Sequence, residues 1–119
     1  MYFCRLRKED EIVGYEKEFG NQHYFSKDGH QWTGEPIAYW YKDYFIGAQD
    51  RNNQYLFSED IIQITSFNDV YFLISYDEML DDFRLINLSN DEEIDKEMLF
   101  DLNNKSQIKR VGYSFQQKM

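Results

Sequence analysis

The chain has 119 residues, a net charge of −9, and ten tyrosines, ten phenylalanines and two tryptophans. That length suits one domain, which would bury roughly two-thirds of the surface its unfolded chain exposes and so needs no disulfide or metal to fold. Cys4 has no second cysteine to pair with, and the negative charge repels a phosphate backbone, so nucleic acid is a poor direct partner. The longest apolar run, Val70 to Ile74, is far below the roughly 18 residues a membrane helix needs. Met1 to Arg5 has no long apolar stretch of the kind a signal peptide carries. The expectation is a cytoplasmic protein without membrane contact.

Aromatic abundance favours pleated surfaces, so short strands are expected through most of the chain. Tyr2 to Leu6 reads as a first strand, followed by the charged turn Arg7 to Asp10. Residues 12–19 alternate, with Val13, Tyr15 and Phe19 on one face and Glu16 and Glu18 on the other. Gly20-Asn21 is a turn, His23 to Ser26 a short strand, and Asp28-Gly29 a hairpin signal. Trp32 to Pro36 reads as loop, because Gly34 and Pro36 interrupt a ladder. Residues 37–48 read as two strands split at Lys42-Asp43. Tyr39 and Tyr41 would face one way and Trp40 the other. Two readings stand: a central strand buried on both sides, or an exposed aromatic platform of Tyr39, Trp40, Tyr41 and Tyr44.

Asp50 to Gln54 is a polar turn, and Tyr55 to Phe57 and Asp60 to Phe67 are extended. Val70 to Tyr76 is the most apolar strand and belongs inside a sheet, where its edge cannot aggregate. Phe83 to Leu88 would pair with it across the acidic turn Asp77 to Asp82. Ser89 to Glu92 has the form of a capping box, and Ile94, Met98 and Leu102 recur every four residues. These signals predict one C-terminal helix over 89–102, ended by Asn103-Asn104. Residues 108–115 form the last strand. The expected fold is α+β and mainly β, a curled antiparallel sheet or small barrel of about seven to nine strands with that helix.

Gly47 to Ile62 is similar to the signature of YopX-like phage and prophage proteins. That signature has a glycine, an Asp-Asn-Gly type of turn, an apolar–aromatic step and Glu-Gly-Asp-Ile-Val. Here the turn is Asp50-Arg51-Asn52-Asn53, and Ser58-Glu59-Asp60-Ile61-Ile62 closes the stretch. Val111-Gly112-Tyr113-Ser114-Phe115 echoes the family's C-terminal segment, so the resemblance spans residues 47–119. Asn53 and Glu59 stand where the family has glycine. Asn53 suits a left-handed turn, while Glu59 would be strained there. The resemblance implies phage origin and a small β-rich fold, with no established activity; with the cytoplasmic expectation, the location is the host cytosol. The motif's physical content is a tight turn between strands, with Asp60 bonding to its own loop.

Signals for catalysis are weak. His23, Asp28 and His30 could make a His–carboxylate site or could be surface residues around a turn. Asp50-x-Asn52-x-Gln54 starts like a calcium loop but fails where Tyr55 and Ile61 replace the glycine and the glutamate. Cys4 reads as a buried thiol in an apolar strand. No cofactor or metal is implied, and the chain is expected not to be an enzyme. The charge is more informative. Residues 59–101 carry thirteen acids and only Arg84 and Lys96 as bases. Asp77, Glu78, Asp81, Asp82, Asp91, Glu93 and Glu97 are either a solvated face or a docking surface for a basic partner. The favoured function is a phage accessory protein that binds and inhibits a host protein with a basic, nucleic-acid-binding surface, such as a CRISPR effector. Alternatives are an immunity protein for a basic nuclease toxin and a self-assembling phage component, with the aromatic segment as its homo-oligomer face.

Overall fold

The computed structural model describes residues 2–65, 67, 70–100 and 105–116. Among these residues, ten strands form two five-stranded antiparallel sheets. They are β1 (Tyr2–Lys8), β2 (Glu11–Phe19), β3 (Gln22–Ser26), β4 (Tyr41–Gln49), β5 (Tyr55–Phe57), β6 (Asp60–Ile64), β7 (Tyr71–Asp77), β8 (Asp82–Asn87), β9 (Glu93–Ile94) and β10 (Ile108–Tyr113). Hydrogen-bonded neighbours run β3-β2-β1-β4-β5 and β10-β6-β7-β8-β9. The chain divides into two compact units, residues 1–45 and 46–119, with the boundary inside β4.

The mainly-β expectation holds, whereas the single curled sheet or barrel is replaced by two sheets. The expected helix over 89–102 does not form within its described part. Residues 88–92 are a turn, β9 follows, and Lys96–Phe100 is a short 3-10 segment. Leu102 and Asn103-Asn104 lie outside the described residues. Local side chains explain the change. Asn90 Oδ1, rather than the Ser89 hydroxyl, accepts the Glu92 amide at 2.9 Å, and Asn87 Oδ1 accepts the Ser89 amide at 2.8 Å. Short polar side chains of this kind offer the backbone an alternative to a helix. Asp91 completes the turn at φ 60°, which no helix allows. Ile94 then pairs with Leu85 at the sheet edge.

In the first unit, β1 pairs with β2 through a turn at Glu9-Asp10, and Glu9 has φ 51°. Pairing shifts register between Leu6 and Arg7. Residues 37–40 are loop, and Lys42-Asp43 lies inside the continuous strand β4, so the expected split into two strands is not seen. Asp28-Gly29 does not close a tight hairpin. It belongs to a wider loop, clamped where Phe25 and Thr33 exchange backbone hydrogen bonds of 2.8 and 2.9 Å. Cys4 and Leu6 are fully buried. Phe3 packs edge-on against Phe45 and Trp32. Gly14 is required by space: the Ser26 carbonyl oxygen would lie 2.7 Å from an added Cβ.

In the second unit, β7 is the central strand of its sheet, as its apolar sequence predicts. Its pairing with β8 sets Tyr76 opposite Phe83 and Asp77 opposite Asp82, which is the expected hairpin. Ile62, Ile64, Phe72, Ile74, Leu85 and Ile108 face one side and join Leu56, Ile46, Ala48 and Leu99 in an apolar core. The turn from β4 to β5 is organised by Asp50. Its buried carboxylate accepts the amides of Asn52, Gln54 and Arg110 at 2.9, 3.0 and 3.1 Å. Asn53 and Glu59 both take positive φ, at 61° and 73°. Asp60 accepts the Phe57 amide at 2.8 Å. Asp60 therefore bonds within its own loop, as its chemistry suggested, while Asp50 and Glu59 also tie their turns to the Arg110–Ser114 stretch.

Candidate partner-docking surface

The acidic set divides into two groups on the second unit. Asp77, Glu78, Asp81 and Asp82 surround the β7–β8 turn. Asp91 and Glu93 lie at the β8–β9 turn, with Glu97 in the 3-10 segment beyond. Three of these acids build local structure. Asp77 Oδ1 accepts the amides of Met79 and Leu80 at 2.9 and 3.3 Å, folding the turn back on itself. The Tyr76 hydroxyl donates to Asp81, which has φ 49°. Asp82 accepts the Phe83 amide at 2.9 Å and pairs with Lys96. That Lys96 contact, helped by the Phe83 amide, holds the Asp82 carboxyl below its usual range.

Both bases of the acidic segment are engaged. Arg84 reaches Glu93 at 3.0 Å and Asp77 at 3.8 Å, and Lys96 is held by Asp82. Glu78, Asp81, Asp91 and Glu97 are exposed. Asp91, Glu93 and Glu97 do not share a helix face, because the helix they were placed on is absent. The turn also displays two residues that composition did not single out. Met79 is 95% exposed and Leu80 59% exposed. The signal was present in the sequence: an apolar pair inside a turn otherwise built of acids. Reading charge alone passed over it.

The aromatic set is mostly on the surface. Tyr39, Trp40 and Tyr41 are exposed, Trp40 at 59%. Tyr44 is partly buried and packs edge-on to Tyr2, 6.5 Å between ring centroids. The reading of a central strand buried on both sides therefore fails at Tyr39 to Tyr41. Residues 37–40 are not strand, and the Trp40 amide donates to the Arg7 carbonyl. Cations lie on the rings: Arg7 is 4.8 Å from the Tyr41 centroid and Lys42 5.1 Å from that of Tyr39.

Beneath that patch the first unit buries charge. Arg5 and Asp43 are each 1% exposed and 2.9 Å apart, and Arg7 adds a 3.0 Å contact to the same carboxylate. Burial raises the Asp43 carboxyl's pKa, and the two guanidiniums oppose that rise. Lys42 lies 2.9 Å from buried Glu16 and 2.5 Å from the Tyr2 hydroxyl. Burial works against the Lys42 charge, but Glu16, Tyr2 and Tyr39 outweigh it and hold the pKa above its usual range. Burial pushes the Cys4 thiol up to about 11. The alternation of β2 had placed Glu16 on a polar face. Its burial comes from Lys42 and His23, contributed by β4 and β3.

Of the two readings of the histidines, the structure gives surface residues around a turn: His23 and His30 are both exposed. His23 Nδ1 is 2.9 Å from Glu16. Asp28 instead organises its own loop, accepting the amides of His30 and Gln31 at 2.8 and 3.0 Å and the Ser26 hydroxyl at 3.0 Å. The amides of Gln31 and His30 and the Ser26 hydroxyl lower its pKa to about 2. Among the described residues, no three His, Cys, Asp or Glu side chains gather as metal ligands would, and no helix is long and apolar enough to cross a membrane. No family model, curated protein or solved structure matches the chain.

Proposed function

We propose that this protein works by binding rather than catalysis, docking the β7–β8 hairpin of its second unit into a basic surface of a protein partner. One observation carries the reading. Met79 and Leu80 stand out into solvent inside a collar of Asp77, Glu78, Asp81 and Asp82. An apolar anchor ringed by one sign of charge suits an apolar pocket bordered by lysine or arginine. The anchor supplies desolvation energy, and the collar speeds encounter and rejects acidic surfaces. Hydrogen bonds within the turn hold it in shape before binding, which lowers the ordering cost.

The YopX-like resemblance of residues 47–119 supports a phage or prophage origin. With it, the partner becomes a host protein whose basic channel ordinarily holds nucleic acid, and the protein becomes its inhibitor in the host cytosol. The decisive measurement is capture from host cytosol at low and high salt, with the captured protein assayed for inhibition. Met79→Asp with Leu80→Asp is expected to abolish capture at both salts. Charge reversal of Asp81, Asp82, Glu93 and Glu97 is expected to slow association and remove its salt dependence. Equal capture by wild type and both variants would end the reading. A captured nuclease toxin encoded beside this gene would replace the host-target reading with immunity.

A further inference from the structure

The outward face of the second sheet has an apolar centre, bordered by Gln63, Ser75 and Arg84, where a solvent-facing sheet is ordinarily polar throughout. Pairing registers set Ile61, Leu73 and Ile86 side by side across β6, β7 and β8, opposite in direction to the core residues Ile62, Phe72 and Leu85; Ile61 is buried there, and Leu73 and Ile86 are partly buried. Around that row stand Tyr71, Leu88 and Val111, 43%, 45% and 41% exposed. With Ile61 they line an open hollow of about 290 Å³. The Leu88 amide donates to the Tyr71 carbonyl, so the β8 end is held against β7. Val111 is the unpaired residue where β10 shifts register against β6.

Charge on this face is ordered from edge to edge. At the β10 edge Lys109 pairs with Gln63, which pairs in turn with Tyr71. At the β9 edge Glu93 sits opposite Ile86, and Arg84 neutralises part of it. Asp91 and Glu92, both exposed, precede Glu93 in the turn. We propose that this face is a self-association surface, on which two copies of the chain pack sheet to sheet. A twofold axis parallel to the strands sets the β10 edge of one copy over the β9 edge of the other, so that each Lys109 meets the other copy's acidic edge. A wholly basic partner would gain at one edge and be repelled at Lys109. A surface with an apolar centre and both charges in reversed order fits, and a second copy supplies it. This surface shares Glu93 with the acidic set but does not use the Met79–Leu80 turn, so Met79→Asp separates it from the docking reading.

The test is sedimentation of the purified chain from about 1 μM to 1 mM, a range that brackets weak self-association. Wild type is expected to pass from monomer to dimer as concentration rises, with weaker association at high salt. Leu88→Lys and Val111→Lys change exposed side chains and should weaken the dimer at least tenfold. Lys109→Glu should weaken it by a smaller factor that vanishes at high salt, and Met79→Asp should leave it unchanged. Circular dichroism and thermal melts check that each variant folds. A wild type that stays monomeric to the top of the range overturns the proposal. So does a dimer that Leu88→Lys and Val111→Lys leave intact, or an open series of larger assemblies.

Discussion

The two units bury opposite kinds of chemistry. Residues 1–45 place Arg5, Asp43 and Glu16 in the interior beside a small apolar core. Residues 46–119 enclose a cluster of ten apolar residues and keep most of their acids outside. The difference follows from the supply of cations. The first unit has six bases against eight acids, so an acid drawn inside can meet a base. The second has seven against fourteen, so most of its surplus must stay in water. Of its two fully buried acids, Asp50 is held by the amides of Asn52, Gln54 and Arg110, while Asp60 takes the Phe57 amide and lies 3.7 Å from the Arg110 guanidinium. Charge that stabilises one unit internally is left on the turns of the other, where it can act on a partner.

The largest expected effect comes from removing the carboxylate on which the first unit's interior depends. Asp43→Ala removes the carboxylate 2.9 Å from buried Arg5 and should cost about 4 kcal/mol. Both tryptophans, Trp32 and Trp40, lie in the first unit, so their fluorescence during urea unfolding reads it directly. The Cys4 thiol gives a second readout. It is buried, and with its pKa pushed to about 11 it is protonated at pH 8. It should resist thiol reagents in the wild type and react readily in the variant. A variant as stable as wild type would remove the comparison's first half.

The counterpart in the second unit is Asp50→Ala, which strips three amides of a charged acceptor and should cost about 3 kcal/mol. Hydrogen exchange at Ile62 and Phe72 would report it. If instead the loss tracks tryptophan fluorescence alone, Asp50 is not the organiser proposed for its unit. Smaller again is Gly47→Ala. Gly47 has φ 93°, and the Phe100 ring lies 3.4 Å from the added Cβ. Strain of about 1 to 2 kcal/mol is expected, seen as a lower melting temperature.

The mildest effect separates surface carboxylates that only solvate from those that organise a loop. Asp28 has a folded pKa of about 2, below its unfolded value of about 4. Its contribution is therefore present above about pH 4 and lost as pH falls through about 2. The amide shifts of His30 and Gln31 should titrate near pH 2 in wild type and not in Asp28→Asn. Titration near pH 4 would mean the carboxylate makes no such bonds in solution.

Much of the strand order was written locally. Period-two alternation, Gly20-Asn21, and the apolar run ending at Tyr76 specify strands and turns from neighbours alone, and those features were placed correctly. So were the roles of Asn53 and Asp60, because a left-handed turn residue and a carboxylate beside free amides act within a few residues of themselves. The acidic excess between Glu59 and Asp101 is likewise a property of composition. Tertiary structure decided the rest. The helix over 89–102 lost because Asn87, Asn90 and Asp91 satisfied the backbone as a turn and Ile94 found a strand partner in Leu85. Glu16 looked like a surface acid until Lys42 and His23 arrived from strands distant in sequence. Tyr39 and Trp40 fitted either a buried strand or an exposed platform, and the choice was made only where the chain runs outside the sheet before β4. Local sequence sets what each residue prefers, but burial depends on which distant charges and rings come to meet it, and only the folded chain fixes that.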